Sequence, residues 1–308
     1  MDQYTHTSVL LQEAIDALAI RPDGVYVDAT LGGGGHALAI LKRLTTGTLY
    51  AFDQDAYAIA KAKERLSAYP NIEYVAANFA DLETELKQRG IDAVDGVLYD
   101  LGVSSFQFDM PERGFSYQHD SPLDMRMNKD ASFSAYDLVN TWTPERIAEA
   151  LFRYGEEPFA RPIAKAIAKA RALKPIKTTF ELVDLIKGVL PAKILAKKGH
   201  PAKQTFQAIR IAVNDELDVF ASSLSQAAGM LKKGGRIVVI TFHSLEDRIA
   251  KQFFRSQSTI DIPKGLPIIV TETPPLKLVN DHVILPTEAE LAVNNRAKSA
   301  KLRAAEKN

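Results

Sequence analysis

Acidic residues and glycines recur at the ends of short apolar runs in the first third of the chain. Asp28 closes one such run and is followed by four consecutive glycines at residues 32–35, and then by His36. Asp53 and Asp100 close two later apolar runs. Backbone without Cβ atoms lets N–H groups approach a ligand closely, and carboxylates accept hydrogen bonds from hydroxyls or balance a cation. These residue types predict a pocket that cradles a nucleotide-like cofactor.

The elements that must position these residues alternate between strands and helices. Apolar runs predict strands at residues 25–27, 49–52, 72–75 and 94–99. Helix-like segments between them include residues 37–44, which follow the glycines, and 57–68, for which Asp55 is the predicted N-cap. This alternation is typical of a parallel sheet with right-handed crossovers, in which ligands bind at the carboxyl ends of the strands.

Each of the four predicted strands ends in a residue that could contact a cofactor. The four positions are Asp28 with its glycine loop, Asp53, Asn78-Phe79, and Asp100. An acid at position 53 suits both hydroxyls of a ribose, and an aromatic ring at position 79 is placed to cover an adenine. The set therefore predicts an adenosine-containing ligand at one edge of the sheet.

Two cofactors fit the glycine spacing. Gly32, Gly34 and Ala37 satisfy the loose fingerprint of a dinucleotide-binding turn, and the distance in sequence to Asp53 fits as well. Asp28 would repel a pyrophosphate, whereas it suits the ammonium and sulfonium groups of S-adenosylmethionine. The order of acids and glycines over all four strands therefore favours S-adenosylmethionine over NAD.

The middle of the chain differs in character from its two ends. Strand signals stop near residue 104, and helical patterns follow at 144–154, 161–173 and 179–189. Sheet character then returns, with a long periodic segment at 205–231, a turn at 233–235, a strand at 236–242, a helix at 244–256 and strands at 268–271 and 299–304. We expect a Rossmann-like α/β domain formed by residues 1–103 and 204–308, interrupted by a helical insertion of residues 104–203.

Composition bounds the function classes. The 308 residues include no cysteine, which excludes a disulfide framework and a thiolate metal site. No apolar run approaches membrane-spanning length and the N-terminus is polar, so a cytoplasmic protein without a membrane partner is expected. The net charge is zero, yet residues 161–210 hold twelve Lys or Arg and two acids. That block is either a phosphate-binding face or a lysine-rich surface that keeps the protein soluble.

Nine stretches resemble one family. They are HTSVLL at 6–11, DATLGGGGH at 28–36, DLGVSS at 100–105, ERGFSY at 112–117, PLDMRM at 122–127, YGEE at 154–157, TFQAIRI at 205–211, FHSLEDR at 242–248 and NRAKSAKLR at 295–303. Together they span nearly the whole chain and are similar to the bacterial 16S rRNA (cytosine-N4)-methyltransferase family of the MraW/RsmH type.

The resemblance implies an activity, a cofactor and a site. The activity is methyl transfer from S-adenosylmethionine to the exocyclic N4 of a cytosine in the decoding region of 16S rRNA, with no metal. The implied partner is that rRNA in the small ribosomal subunit, and a homodimer is compatible with the sequence. The cofactor contacts that the resemblance implies are Gly34, Gly35, His36, Asp53, Phe79, Asp100 and Gln107.

The residues support this chemistry independently. Carbon-5 methylation of a pyrimidine commonly uses a cysteine nucleophile, which this chain lacks, whereas N-methylation needs only alignment and hydrogen-bond acceptors for the amine. We expect Asp100 to accept from the substrate amine, or to fix cofactor and base together. His243, after the fifth strand, could assist proton removal, bind phosphate, or simply cap the following helix.

Candidates for contact with the substrate lie in the predicted insertion. Arg113 and Arg126 could contact RNA phosphates, although a structural ion pair would explain either one. Phe115 could stack on a displaced base or pack in the core. With an RNA substrate the basic block gains a role, and Lys197 and Lys198 are its predicted phosphate contacts.

Two other function classes have weaker support. A DNA amino-methyltransferase would show an acidic or polar residue followed by Pro-Pro-Tyr or Pro-Pro-Phe after the fourth strand, where this chain has Asp100-Leu101-Gly102-Val103. A non-catalytic binding module would be expected to lack acids or glycines of the site, and none of them is missing here.

Overall fold

The computed structural model describes residues 8–260 and 273–308. The predicted strand at 268–271 and two residues of the first motif, His6 and Thr7, lie outside that range. The chain divides into two compact units, one formed by Met1–Gly102 and Leu217–Asn308 and the other by Val103–Glu216. The second unit is therefore inserted into the first.

The first unit contains a seven-stranded sheet. Its strands are β1 Val25–Asp28, β2 Thr48–Phe52, β3 Ile72–Val75, β4 Val94–Asp100, β5 Leu231–Thr241, β6 Leu276–Leu278 and β7 Lys301–Lys307. The order across the sheet is β3-β2-β1-β4-β5-β7-β6, with β1 to β5 parallel and β7 antiparallel to both of its neighbours. The predicted Rossmann-like α/β fold is confirmed, and the order reverses at β1, where such sheets bind ligands.

Helices connect the strands and fill the inserted unit. In the described residues they are α1 Leu11–Leu18, α2 Gly35–Leu41, α3 Ala56–Arg65, α4 Leu82–Gln88, α5 Ser105–Asp109, α6 Ala135–Thr141, α7 Pro144–Gly155, α8 Ala160–Arg171, α9 Thr179–Val189, α10 Ala192–Leu195, α11 Lys203–Asn214, α12 Glu216–Met230, α13 Ser244–Ser258 and α14 Glu288–Val293. Short 3₁₀ turns lie at Phe79–Asp81, Pro111–Arg113 and Asn295–Ser299.

Alternation along the strands produces two apolar layers in the first unit. Tyr26 of β1 and Leu98 of β4 pack with α1, α2 and α3 on one face of the sheet. Val27 and Tyr99, one residue further on, pack with α4, α12 and α13 on the other face. Both faces of the parallel strands are buried, which is why these strands appear in the sequence as nearly continuous apolar runs.

The inserted unit has its own core. Helix α7 packs against α8 and α11, and α9 packs against α8. The predicted capping box of α9 is present, because the Thr178 side chain accepts from the Glu181 N–H while the Glu181 carboxylate accepts from the Thr178 N–H. Buried side chains of α6, α7, α8, α9 and α11 form one apolar cluster.

Two boundaries differ from the prediction. The periodic segment 205–231 is two helices, because the chain turns at Asp215, where φ is +49°. Helix α11 belongs to the inserted unit, so that unit ends at Glu216 and not at residue 203. The reason is packing: apolar residues of α11, including Phe206 and Ile209, lie in the core of the helical unit.

The predicted turn at 233–235 lies inside β5. Val94 of β4 pairs with Leu231 of β5, and Gly96, two residues later in β4, pairs with Arg236, five residues later in β5. The extra residues of β5 therefore form a bulge between these two pairs. Gly234 has a φ of +75° there, a conformation that favours glycine.

Candidate active site

The glycine run forms a tight turn between β1 and α2. Gly32 and Gly34 have φ values of +46° and +71°, and the Gly34 N–H donates to the Leu31 carbonyl at 2.8 Å. A Cβ at Gly35 would overlap Ser8 Oγ, so the close approach of these two segments requires glycine. The first helical bond of α2 comes from Leu38 to the Gly34 carbonyl, which leaves the preceding N–H groups without an acceptor inside the helix.

Asp28 is a buried carboxylate with unused acceptor capacity. Its Oδ1 accepts from the Thr30 N–H at 3.1 Å, and Oδ2 accepts no hydrogen bond from any described residue. Burial raises the pKa of Asp28 to about 6, an effect that the neighbouring His36 opposes. A buried carboxylate oxygen in this state suits a cationic ligand group better than a pyrophosphate.

Asp53 joins the end of β2 to the glycine turn. Its Oδ2 accepts from the Gly32 N–H at 2.9 Å and its Oδ1 from the Asp55 N–H at 2.8 Å. Burial raises its pKa to about 6, and these two backbone bonds act in the opposite direction. Asp55 itself is the predicted N-cap of α3 and accepts from the Tyr57 N–H. The carboxylate of Asp53 thus fixes the turn and retains further lone pairs for hydroxyl donors.

Phe79 follows β3 at the same edge of the sheet. Its ring contacts Tyr99 of β4 edge-on, with ring centroids 5.7 Å apart. The preceding Asn78 caps the short 3₁₀ turn by accepting from the Ala80 N–H, and it donates to Gln54 Oε1 at 3.1 Å. The half-buried ring is therefore held by β4 on one side, as a residue that covers a ligand would need to be.

Asp100 and His36 lie together at the end of β4. The Asp100 N–H donates to Thr30 Oγ1 at 2.6 Å, and Asp100 Oδ2 lies 3.4 Å from His36 Nδ1. The other ring nitrogen, Nε2, is 3.2 Å from the Val9 carbonyl oxygen. Burial lowers the pKa of His36, but contact with Asp100 and the charge of Asp28 outweigh it, so the pKa lies above its ordinary value.

Sequence reasoning missed two contributors to this cluster. Thr30 positions the backbone of Asp100, and Val9 supplies the carbonyl that anchors His36. Both lie in motifs that the sequence analysis singled out, but neither residue type signals a ligand contact. Only the fold brings the segment before α1 next to the first residues of α2.

His243 is the N-cap of α13. Its Nδ1 accepts from the Glu246 N–H at 3.4 Å, and Nε2 lies 3.0 Å from Glu246 Oε1. The same glutamate accepts from the Phe242 N–H through Oε2 at 2.8 Å. Of the alternatives open from the sequence, the structure therefore supplies a capping role. A catalytic role for His243 stays a prediction.

Three predicted site residues in the inserted unit are engaged internally. Gln107 is buried and belongs to the capping box of α5 with Ser104. Arg113 is 1% exposed and donates through Nη2 to the Arg126 and Met127 carbonyls, so it cannot reach a phosphate from this position. Phe115 is 5% exposed within the apolar cluster of this unit, so of the two alternatives open from the sequence the structure supports packing in the core.

Arg126 forms a structural ion pair. Its Nε and Nη2 donate to the two carboxylate oxygens of Asp124 at 2.7 and 2.8 Å, and Nη1 donates to the Ala131 carbonyl. The pKa of Asp124 is lowered, because these bonds from Arg126 outweigh the effect of burial. Of the two alternatives open from the sequence, a phosphate contact or a structural ion pair, this geometry supports the ion pair at Arg126, since its donors are directed at protein acceptors.

Lys197 and Lys198 are exposed in the bend that follows α10. Most other cations of the basic block also lie on the surface, whereas Arg171 donates to the Val139 and Trp142 carbonyls. A contact of the two lysines with RNA stays a prediction. Among the described residues, no helix has the combination of length and apolar character needed to cross a membrane.

The fold and the first unit's site define a class of enzyme. Carboxylates, a glycine turn and an aromatic ring at the carboxyl ends of β1 to β4 are the elements with which Rossmann-like methyltransferases hold an adenosine-containing cofactor. A family model for the MraW methylase family matches residues 3–308. The chain belongs to the MraW methylase family.

One relative agrees in sequence with this assignment, and two solved structures show a distant likeness. The chain is 54% identical over 314 residues to ribosomal RNA small subunit methyltransferase H of Limosilactobacillus fermentum, covering 100% of this chain and 99% of the relative. An rRNA methylase from Streptococcus thermophilus aligns over 98% of both chains with a TM-score of 0.44 and 13% identity. TrmN from Thermus thermophilus aligns over 99% of this chain and 50% of its own, with a TM-score of 0.43 and 14% identity. The family assignment rests on the two sequence matches.

Proposed function

We propose that this methyltransferase transfers a methyl group from S-adenosylmethionine to the exocyclic N4 of a cytosine in the decoding region of 16S rRNA. Membership of the MraW methylase family and 54% identity to a small-subunit rRNA methyltransferase support the reaction class and the substrate class. The observation that carries the chemistry is the cluster of Asp28 and Asp100 at the ends of adjacent strands, each with a carboxylate oxygen that no described residue satisfies.

The residues of the first unit fit the cofactor. Asp28 offers a buried acceptor for a cationic group, and the close approach at Gly35 leaves no room for a Cβ. Asp53 keeps lone pairs for ribose hydroxyls, and Phe79 can lie against an adenine. When bound, S-adenosylmethionine supplies the methyl group on a sulfonium, which leaves as a neutral thioether after the methyl has been transferred.

Asp100 acts on the substrate amine. The lone pair of a cytosine N4 is delocalised into the ring, so the nitrogen is a poor nucleophile. An acceptor that binds one N–H of the amine draws it towards tetrahedral geometry and holds it in line with the methyl group. Asp100 is suited to this role because its side chain is 24% exposed and its backbone is fixed by Thr30. A bound S-adenosylmethionine would supply the methyl group for the new N–C bond as its C–S bond breaks, and the proton that the methylated amine loses would pass to Asp100 or to solvent.

The helical unit provides the contacts with RNA in this proposal. Its exposed lysines meet phosphates, while the overall neutral charge limits indiscriminate binding. We infer that the rRNA is presented within the small ribosomal subunit and that the enzyme acts in the cytoplasm. The homodimer stays a prediction from the sequence, which sedimentation of the purified chain would check.

The test is methyl transfer from labelled S-adenosylmethionine to undermethylated small subunits, naked 16S rRNA and DNA. We expect N4-methylcytosine at one position of the rRNA, located by mass spectrometry, and no label in DNA. Asp100→Ala should lower the rate by at least about 100-fold, as for loss of one oriented transition-state contact, and its cofactor affinity is measured alongside. Full transfer by Asp100→Ala would exclude the role of Asp100, and label in DNA would exclude the substrate.

A further inference from the structure

We infer that His36 is a positioning residue that orients the carboxylate of Asp100 towards the substrate amine. This inference rests on the proposed function, because it assigns Asp100 the role of acceptor. It assigns His36 a function beyond any contact that the glycine turn makes with the cofactor.

The hydrogen-bond partners of His36 define its protonation state. Nε2 faces the carbonyl oxygen of Val9, which can only accept, so Nε2 carries a proton. Nδ1 faces Asp100 Oδ2 at 3.4 Å, where a proton on nitrogen is attractive and a lone pair would be repelled. A ring that donates on both sides is an imidazolium. His36 is 4% exposed, so this cation is shielded from solvent and acts on its neighbours at short range.

The ring lies between a fixed anchor and a less constrained carboxylate. Val9 is buried directly before α1, and the N–H of the next residue, Leu10, donates to Glu290 Oε1 at 2.9 Å. Asp100, in contrast, has no side-chain hydrogen bond from the described residues apart from its contact with His36. Because the Asp100 backbone is fixed through Thr30, His36 is the group that selects the orientation of its carboxylate.

Charge explains why a histidine serves here better than a neutral donor. Asp28 and Asp100 end neighbouring parallel strands, and the negative charge of Asp100 is one of the causes that raise the pKa of Asp28. A positive charge on His36 acts on Asp28 in the opposite direction. A neutral donor at position 36 could also orient Asp100, but it would leave the repulsion between the two carboxylates without this compensation.

Two isosteric replacements separate the two contacts of the ring. Asparagine at position 36 places an amide N–H where Nδ1 stands and loses the bond to Val9. Glutamine reaches the position of Nε2 and loses the contact with Asp100. If His36 acts through Asp100, His36→Gln should lower kcat at least about tenfold more than His36→Asn, since small misplacements of a catalytic group are costly.

The experiment is steady-state methyl transfer to undermethylated small subunits by the full chain. Wild type, His36→Asn, His36→Gln, Asp100→Asn and the His36→Gln/Asp100→Asn double variant are compared, with cofactor KM and thermal unfolding measured for each. We expect the loss for His36→Gln to appear in kcat beyond any change in cofactor KM, and little further loss in kcat when His36→Gln is added to Asp100→Asn.

The outcomes separate this inference from the function on which it rests. Equal kcat values for the Asn and Gln variants, a loss confined to cofactor KM, or independent losses in the double variant would overturn the role of His36 while leaving the reaction intact. No transfer by the wild type would overturn the proposed function as well. If His36→Gln does not fold, His36→Ala replaces it in the double-variant comparison with Asp100→Asn, because alanine also removes the contact with Asp100 and coupled residues lose less together than separately.

Discussion

Single carboxylates determine how this site responds to pH. Asp28 and Asp53 are both acids whose pKa burial raises to about 6, and in both cases local hydrogen bonds or charge only partly offset that effect. At neutral pH both carboxyls are therefore ionised, and a bound ligand can offset the free-energy cost of burying that charge. A cation near Asp28, or hydroxyl donors near Asp53, stabilise the ionised carboxylate. Ionisation of the carboxylate therefore strengthens binding of a ligand that carries these groups.

This linkage predicts that cofactor binding weakens in acid. As the pH falls from 7.5 to 5, Asp28 takes up a proton and loses its attraction for a cationic ligand, so the dissociation constant should rise by up to about tenfold per pH unit below the pKa. Calorimetric titration with S-adenosylmethionine measures it directly. Asp28→Asn keeps the acceptor for Thr30 but should bind weakly at pH 7.5 and show a flatter pH profile.

The matched control is an exposed carboxylate of the same unit. Asp92 lies on the surface, and Asp92→Asn should retain the wild-type profile. A dissociation constant for the wild type that stays constant between pH 7.5 and 5 would contradict a cation-binding role for Asp28.

Residue identity alone did not reveal which polar groups face inward. The acids at the strand ends were predictable, because the carboxyl ends of parallel strands are where ligands bind and the strands themselves were clear from their apolar runs. Arg113 and Phe115 belong to an equally distinctive motif, yet both are buried in the helical unit. The sequence does not distinguish a buried arginine that donates to backbone carbonyls from an exposed arginine whose guanidinium is available to a phosphate.

At the scale of elements, one turn divides the segment that the sequence analysis described only as long and periodic. Apolar residues continue at helical spacing from Phe206 to Phe220, so the periodicity gave no sign of a break. The break at Asp215 has a positive φ, which a non-glycine residue rarely adopts. The adjacent Asn214 stabilises this break through hydrogen bonds to residues that are distant in sequence. Its amide accepts from the Met127 N–H and donates to the Met125 carbonyl. These partners lie 87 and 89 residues away in sequence, which no local pattern reports.

Loss of this anchor should destabilise the helical unit. Asn214→Ala leaves a backbone N–H and a carbonyl of the 125–127 loop without their partner, at a cost of about 2–3 kcal/mol in the free energy of unfolding. Thermal unfolding followed by circular dichroism measures the change. Asn214→Asp should give an intermediate loss, since it keeps the acceptor for Met127 and removes the donor to Met125.

The control for that prediction lies on the same helix. Lys203 is exposed at the start of α11, and Lys203→Ala should change stability by less than about 0.5 kcal/mol. A wild-type unfolding curve for Asn214→Ala would show that the loop contact does not stabilise the break between α11 and α12.

The sheet, in contrast, was predictable element by element. Strands β1 to β4 match the predicted runs to within one residue, and β5 contains most of its predicted run but starts earlier. Nearly all residues of β1, β2 and β4 are buried, so packing on both faces selects their apolar side chains. The glycine turn was predictable for a different reason, since positive φ and close approach at Gly34 and Gly35 exclude most side chains. Where physical constraint is local, as in these cases, the sequence reports it.

For the molecule as a whole, the excess of positive charge and the helical unit occupy the same part of the chain. Residues 161–210, with their twelve cations and two acids, fall entirely within the helical unit, and the rest of the chain carries the opposite excess. The sheet unit holds Asp28, Asp53 and Asp100, the acids that we propose as the cofactor and substrate contacts. The predicted insertion starts at residue 104 and the helical unit starts at Val103. The predicted end at residue 203 is too early, because the apolar face of α11 gives no sign in the sequence of which unit it packs against.

This division predicts that RNA affinity depends on salt through the helical unit. Replacing Lys197 and Lys198 by glutamine should weaken binding of 16S rRNA at low salt and reduce the slope of log affinity against log salt by about 1.4, the value for two lost phosphate contacts on a single strand. Filter binding or fluorescence anisotropy over a range of salt concentrations measures both quantities. The two curves should converge at high salt, where counterion release contributes little.

Lys42→Gln/Lys251→Gln removes the same charge from exposed positions of the sheet unit and should leave the slope unchanged. Equal slopes for the wild type and the Lys197/Lys198 variant would assign the basic block to solubility alone.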